Sequence, residues 1–210
     1  MWRARCAGLL MIIGGLPLLV SGCTGTTPGT PDAGPSVSSK PTGQPSSDPS
    51  SSANSHGAPR VTAPLDGTAF LAKPCSVLTT SQLQSLSLPG SGTSDTDGQS
   101  GRSRCTWYNR DAGAGTGFSF LSSNKNGLSD TYRGRDRFKG YFEPTEVDGY
   151  PAVFNDPSDF RAKGSCNITV GISDTLAFIT SWDEGRVGAK SCDQAKQVAS
   201  MVIQTIRSGG

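Results

Sequence analysis

CNITVGISDTLAFITSW, residues 166–182, decides how this chain folds. Cys166, Ile168, Val170 and Ile172 recur at every second position, and Leu176, Phe178 and Trp182 form a second such set beyond the Ser173-Asp174 step. A period of two puts alternate side chains on opposite faces of a strand, so the segment reads as two antiparallel strands with one face in a core. Downstream the period changes. In KSCDQAKQVASMVIQTIRSGG (190–210), Cys192, Ala195, Ala199, Val202, Ile203 and Ile206 fall on one helical face. Ser191 and Gln194 have the spacing of a capping box, and Gly209 is placed as a C-cap. An apolar helix face next to a half-apolar sheet is expected to cover it.

Upstream, PCSVLTTSQLQSLSLPG (74–90) predicts a short helix from Thr80 to Ser87. Thr79 and Gln82 form a capping box, Leu78 and Leu83 stand at staple positions, and Pro89-Gly90 ends the element. Residues 91–103, SGTSDTDGQSGRS, read as a polar loop. RCTWYN (104–109) places Cys105 and Trp107 on one strand face, GTGFSF (115–120) does the same for Phe118 and Phe120, and the Gly-rich gap reads as a hairpin. LSDTYRGRDRF (128–138) is assigned a short helix interrupted by Gly134, and YFEPTEVDGYPAVF (141–154) two short strands around Asp148-Gly149. The expected fold class is α+β: an antiparallel sheet packed against a short N-terminal helix and an amphipathic C-terminal helix, with two disulfides.

The disulfides follow from the cysteines at 75, 105, 166 and 192, an even count in a chain that begins with an export signal. No two of them are two to four residues apart, which argues against zinc. Four cysteines allow three pairings. The sequential choice, Cys75–Cys105 and Cys166–Cys192, is favoured, because Cys192 opens a helix expected to lie on the sheet that Cys166 begins.

That export signal is MWRAR followed by about fifteen mostly apolar residues up to Val20, short of the roughly 18 to 20 that span a bilayer. Val20-Ser21-Gly22-Cys23 resembles a bacterial lipobox, which implies cleavage before Cys23 and its attachment to acyl chains such as palmitate. The competing reading is an ordinary secretory signal cut nearby. The lipobox is preferred because the cysteine sits at the exit of the apolar run. Two or more acyl chains anchor stably where one binds reversibly. Thr24 to Arg60 is almost wholly Ser, Thr, Pro, Gly and Ala, too polar to order itself. As a flexible tether it would span roughly 35 Å. The expected organisation is thus a signal at 1–22, a lipidated cysteine and tether at 23–60, and a folded domain at 61–210. Its location would be the outer face of the cell membrane.

Charge and residue types narrow the chemistry. The formal charge of +2 comes from Arg3 and Arg5 in the signal; the rest carries 17 basic against 17 acidic residues. A neutral exported domain lacks an electrostatic footprint for nucleic acid. His56 is the single histidine and lies in the tether, so no Ser-His-Asp or Cys-His arrangement and no histidine metal site can be built in the domain. No cofactor motif is found. Ser122-Ser123-Asn124-Lys125 matches the S-x-x-K spacing of penicillin-interacting enzymes, but a K-T-G element is missing. Asp95-Thr96-Asp97-Gly98 lacks the other ligands of a calcium loop. Glu143, Glu146, Asp148, Asp183 and Glu184 could include a carboxylate pair for glycoside hydrolysis, although sequence spacing cannot set their separation. In YRGRDRFKGYF (132–142), Arg133, Arg135, Arg137 and Lys139 would share one face of an extended segment and could grip an anionic lipid head group or wall polymer. In a helix they would scatter around the axis.

KPCSVLTTSQLQSL (73–86), CTWYN (105–109), CNITVGI (166–172) and CDQAKQVASMVI (192–203), in that order and spacing, resemble an actinobacterial lipoprotein family grouped as domain of unknown function 3558. The resemblance implies a surface lipoprotein and brings no catalytic residue. Three readings follow: a non-enzymatic domain binding an envelope protein, lipid or glycan; a wall-directed hydrolase using two carboxylates; and a purely structural domain.

Overall fold

The computed structural model describes residues 56–98, 101–185 and 190–209. Strands β1 (Thr93–Thr96), β2 (Ser103–Asn109), β3 (Ala114–Phe120), β4 (Tyr141–Val147), β5 (Tyr150–Asp156), β6 (Ser165–Gly171) and β7 (Ala177–Glu184) form one sheet. Its order is β1-β2-β3-β7-β6-β5-β4, with every neighbouring pair antiparallel. The hairpin of residues 166–182 occupies the middle, with Val170 opposite Phe178 and Cys166 opposite Trp182. The helices are α1 (Thr68–Leu71), α2 (Thr80–Ser85), α3 (Leu128–Arg133) and α4 (Ser191–Ser208). Single 3-10 turns lie at Pro74–Val77, Arg135–Arg137 and Arg161–Lys163.

One sheet face carries the main core. Ala195, Val198, Ala199, Val202, Ile203 and Ile206 of α4 are buried in one cluster with Trp107, Phe118, Ile168, Val170 and Phe178 from the strands. Each such large side chain stabilises by about 1.5 to 3 kcal/mol when fully removed from water. Leu83 of α2 joins them. Thr79 accepts from the Gln82 backbone N–H, and Gln82 Oε1 accepts from the Thr79 N–H at 2.7 Å, so the first capping box is formed. The disulfides join Cys75 to Cys105 and Cys166 to Cys192. The first ties the Pro74–Val77 turn to β2, the second ties β6 to the first turn of α4. Across sequence separations of 30 and 26 residues, each is worth about 3 to 4 kcal/mol in the chain-entropy account.

Four local expectations change. The second capping box does not form: Lys190 is the N-cap of α4, no side chain caps it, and Ser191 is a buried first helical residue. Disulfide and core packing hold that end of the helix in its place. Within 91–103, four residues pair as the edge strand β1 despite being exposed throughout, because Arg104 on β2 grips the Asp95 carboxylate with two hydrogen bonds of 2.9 Å. The packed part begins before residue 61. Ala58 is buried, Arg60 pairs with Asp174 at 3.4 Å, Tyr150 Oη donates to the Ala63 carbonyl, and the Leu65 N–H donates to that of Ile172. Finally, the opposite sheet face is not wholly open. A second small core joins Ala58, Leu128, Tyr132 and Val153 there.

Candidate functional site: a groove on the second sheet face

The second core is a consequence of topology. The chain leaves β3 in the middle of the sheet and enters β4 at its far edge, so the connection must pass β7, β6 and β5. It carries α3, and α3 lies on the face away from α4. Leu128 and Tyr132 pack on Val153, and the Tyr132 ring meets Phe142 edge to face at 5.0 Å. Gly127, at φ 50°, lets the connection press against the β6–β7 turn; a Cβ there would stand 2.7 Å from the Ser173 carbonyl oxygen. Held at this end, the connection stands over the sheet as one wall of a groove.

Small residues make the trough beside it. Phe118 and Phe120 of β3 face the main core, so Gly115, Gly117 and Ser119 face the other way. On β7, Ser181 stands opposite Gly117 and Ile179 opposite Ser119. The resulting cavity holds about 220 Å³ and is rimmed by Asp97, Arg102, Arg104 and Asn167. Arg102 and Ile179 also line a neighbouring cavity of about 380 Å³, so the two adjoin. Its wall is the connection, through Leu121, Asn124, Thr131, Arg137 and Phe138; its floor is Asn155 of β5 and Thr169 of β6.

The floor holds the most informative atoms of the molecule. Asn155 and Thr169 are 3% and 1% exposed, yet Asn155 Oδ1 and Thr169 Oγ1 have no hydrogen-bond partner among the described residues. Thr169 stands opposite Val153, two residues from Asn155, so the two are diagonal neighbours on one face, roughly 7 Å apart. An unpaired buried polar atom costs about 1 to 3 kcal/mol and calls for a reason. On the main-core side the Thr180 hydroxyl donates to the Gly117 carbonyl at 2.7 Å, while Trp107 Nε1, also buried and without a partner among the described residues, lines neither cavity.

Charges are set around this floor. The Asp130 carboxylate accepts from the Asn126 backbone N–H at 3.1 Å and from Asn126 Nδ2 at 3.0 Å, and pairs with Arg133 at 2.9 Å. Burial alone would raise its pKa, but the Asn126 hydrogen bonds and the Arg133 charge prevail and hold it below the usual carboxylate value. Asp130 is therefore a compensated anion. Arg137 is exposed and has no ion pair among the described residues. Its guanidinium folds back over Gly134, in space that a Cβ would take.

The four cations singled out in the sequence do not share an extended face. Arg133 ends α3, Arg135 and Arg137 lie in the following 3-10 turn, and their side chains diverge. Arg133 turns to Asp130, Arg135 stacks over the Phe142 ring at 5.3 Å, and Lys139 lines neither part of the groove. Arg137 alone of the four lines it. α3 and the 3-10 turn that follows curl the backbone, so successive cations point in different directions instead of alternating onto one face.

The carboxylates are likewise dispersed. Glu143 pairs with Arg161 at 2.8 Å, Glu146 lies on the opposite face of β4, and Asp148 accepts from the Ser200 hydroxyl. Asp183 and Glu184 belong to β7, which β6 and β5 separate from β4, a distance of about 14 Å. That exceeds the separation of glycosidase pairs. Lys125 Nζ donates to the Ser122 carbonyl rather than its hydroxyl, and Asp95 is taken by Arg104. Among the described residues, no group of three or more His, Cys, Asp or Glu could hold a metal ion. Cys23 lies outside the described residues.

Asn155 and Thr169 escaped the sequence reading because polar positions alternating with core residues read as solvent-facing. The visible signal was the alternation Gly115, Gly117, Ser119 within the AGTGFSF strand, a column too small to cover its own backbone.

Over residues 18–205 the chain matches the family described as Protein of unknown function (DUF3558), and it belongs to that family. No curated protein matches it. No solved structure matches it either.

Proposed function

We propose that this protein is a non-enzymatic binding domain held at the outer face of the cell membrane by acyl chains on Cys23, with the groove as its ligand site. The observation that carries this reading is the pair of unpartnered atoms in the groove floor, Asn155 Oδ1 and Thr169 Oγ1. Stability selects against such atoms, whereas a site that must recognise a partner retains them. The anchor is supported by the lipobox resemblance at Val20–Cys23, which lies inside the stretch matched by the family. The low-complexity tether that follows would let the groove reach envelope molecules presented near the membrane.

Native mass spectrometry of the full chain, extracted in detergent from the cells that make it, tests the reading. The expected result is a retained non-protein mass that the double variant Asn155→Leu/Thr169→Val releases. A wild-type protein with no retained mass and no cross-linked partner would overturn it. For the anchor, the chain should incorporate labelled palmitate in the cells that make it, and Cys23→Ala should abolish the label; incorporation unchanged by the substitution would count against lipidation at Cys23.

A further inference from the structure

We infer that the groove takes a sugar- or polyol-sized ligand that carries both hydroxyl groups and an anionic group such as a phosphate. This rests on the reading of the groove as a binding site and adds the chemistry of what fills it.

The floor asks for hydroxyls. Asn155 Oδ1 can only accept a hydrogen bond, so its partner must bring an O–H or N–H. Thr169 Oγ1, on the same face, can donate or accept. A vicinal diol meets both needs at once, because each hydroxyl is itself donor and acceptor. A carboxylate or phosphate oxygen placed on the floor would leave Asn155 Oδ1 facing another acceptor. The anion therefore belongs elsewhere in the groove.

The rim supplies that place. Arg137 and Arg102 both line the larger cavity. Arg137 offers a guanidinium that no carboxylate occupies among the described residues, and a guanidinium binds phosphate or carboxylate through two parallel hydrogen bonds. Asp130, the one acid among the described residues that line the cavity, is compensated by Arg133 and Asn126, so the surplus charge facing the ligand is positive. Leu121, Phe138 and Ile179 give the remaining wall apolar surface suited to the C–H face of a ring. At about 380 Å³ the cavity falls at the small end of ligand sites, the size of a monosaccharide rather than a long chain.

Free sugar phosphate and a lipid or polymer with the same group share this chemistry, and the experiment separates them. The full chain in detergent is titrated with glucose 1-phosphate, glucose and inorganic phosphate by calorimetry, and separately with phosphatidylcholine vesicles with and without phosphatidylinositol. Glucose 1-phosphate should bind at least about tenfold more tightly than either fragment, since both floor and rim are then engaged. Binding confined to phosphatidylinositol vesicles would assign the same chemistry to a membrane-borne source. Arg137→Ala should weaken binding about tenfold and flatten its salt dependence. Thr169→Val should weaken binding while raising the melting temperature, a combination that a structural role would not produce. Inorganic phosphate binding as well as the sugar phosphate, or an affinity untouched by Thr169→Val, would overturn the inference. So would failure of every probe. In that event, a retained mass without an anionic group would leave the binding reading standing, and a protein with no retained mass would take both down.

Discussion

On the face that carries α4, β6 and β7 present Cys166, Ile168, Val170, Phe178 and Trp182, all buried, and the one hydroxyl among them, that of Thr180, is bonded to the Gly117 carbonyl. On the face that carries α3, the same two strands present Asn167, Thr169, Ile179 and Ser181, and they line the groove. The first face is filled and stapled by a disulfide; the second holds a trough of small residues and two buried polar atoms with no partner. Neighbours one residue apart in sequence thus face a filled core on one side and an open groove on the other. The packed face supplies stability enough for the domain to tolerate unpaired polar atoms.

Truncations at adjacent positions should separate the faces most sharply. Phe178→Ala is expected to lose about 4 kcal/mol in urea unfolding, through lost burial and the cavity left behind, whereas Ile179→Ala, half-buried over the groove, should lose less than about 1.5 kcal/mol. Equal losses would erase the distinction. The double variant Cys166→Ala/Cys192→Ala should lose about 3 kcal/mol in the same assay, and reductant should lower the wild-type midpoint but not that of a variant lacking both disulfides. On the groove side the sign reverses. Thr169→Val removes an unsatisfied hydroxyl and should gain about 1 kcal/mol, seen as a raised urea midpoint; a loss would mean that the hydroxyl is paired in solution.

The weakest effect concerns Asp130 and pH. Its folded-state pKa is depressed, so its contribution is fully present above the unfolded carboxylate value near 3.9 and is lost as pH falls through the folded value. Urea midpoints of wild type and Asp130→Asn should therefore differ at pH 6 and converge toward pH 2 (about those values bracket the transition). A difference independent of pH would place the role of Asp130 in packing rather than in its charge.

Much of the packed face was legible in the chain. The alternation in 166–182, the helical face of Cys192 to Ile206 and the Thr79–Gln82 capping box appear in the fold where their periods place them. The Ser191–Gln194 box was misleading, because spacing alone cannot say which residue starts a helix whose first turn is tied down by a disulfide. β1 was invisible for a related reason. With every side chain exposed it has no hydrophobic pattern, and it exists through its pairing with β2 and the Asp95–Arg104 contact. Of the basic segment, composition found Arg137 but not the company it keeps. Only the folded path of the β3–β4 connection puts Arg137 beside Arg102 and above Thr169 and Asn155.

Periodicity is a property of a strand or helix and its immediate neighbours, which is why residues alone were enough for the α+β class, the phase of the central strands and the side of them that is buried. Among three pairings of four cysteines, the same local logic selected Cys75–Cys105 and Cys166–Cys192, the two bonds present in the fold. The groove answers to a different kind of fact. It exists because strand order forces a connection across three strands on the far face, and because Gly117 and Ser119 leave that face low. Whether a polar atom is satisfied depends on what the rest of the chain brings opposite it, and for Asn155 Oδ1 and Thr169 Oγ1 the described residues bring no partner.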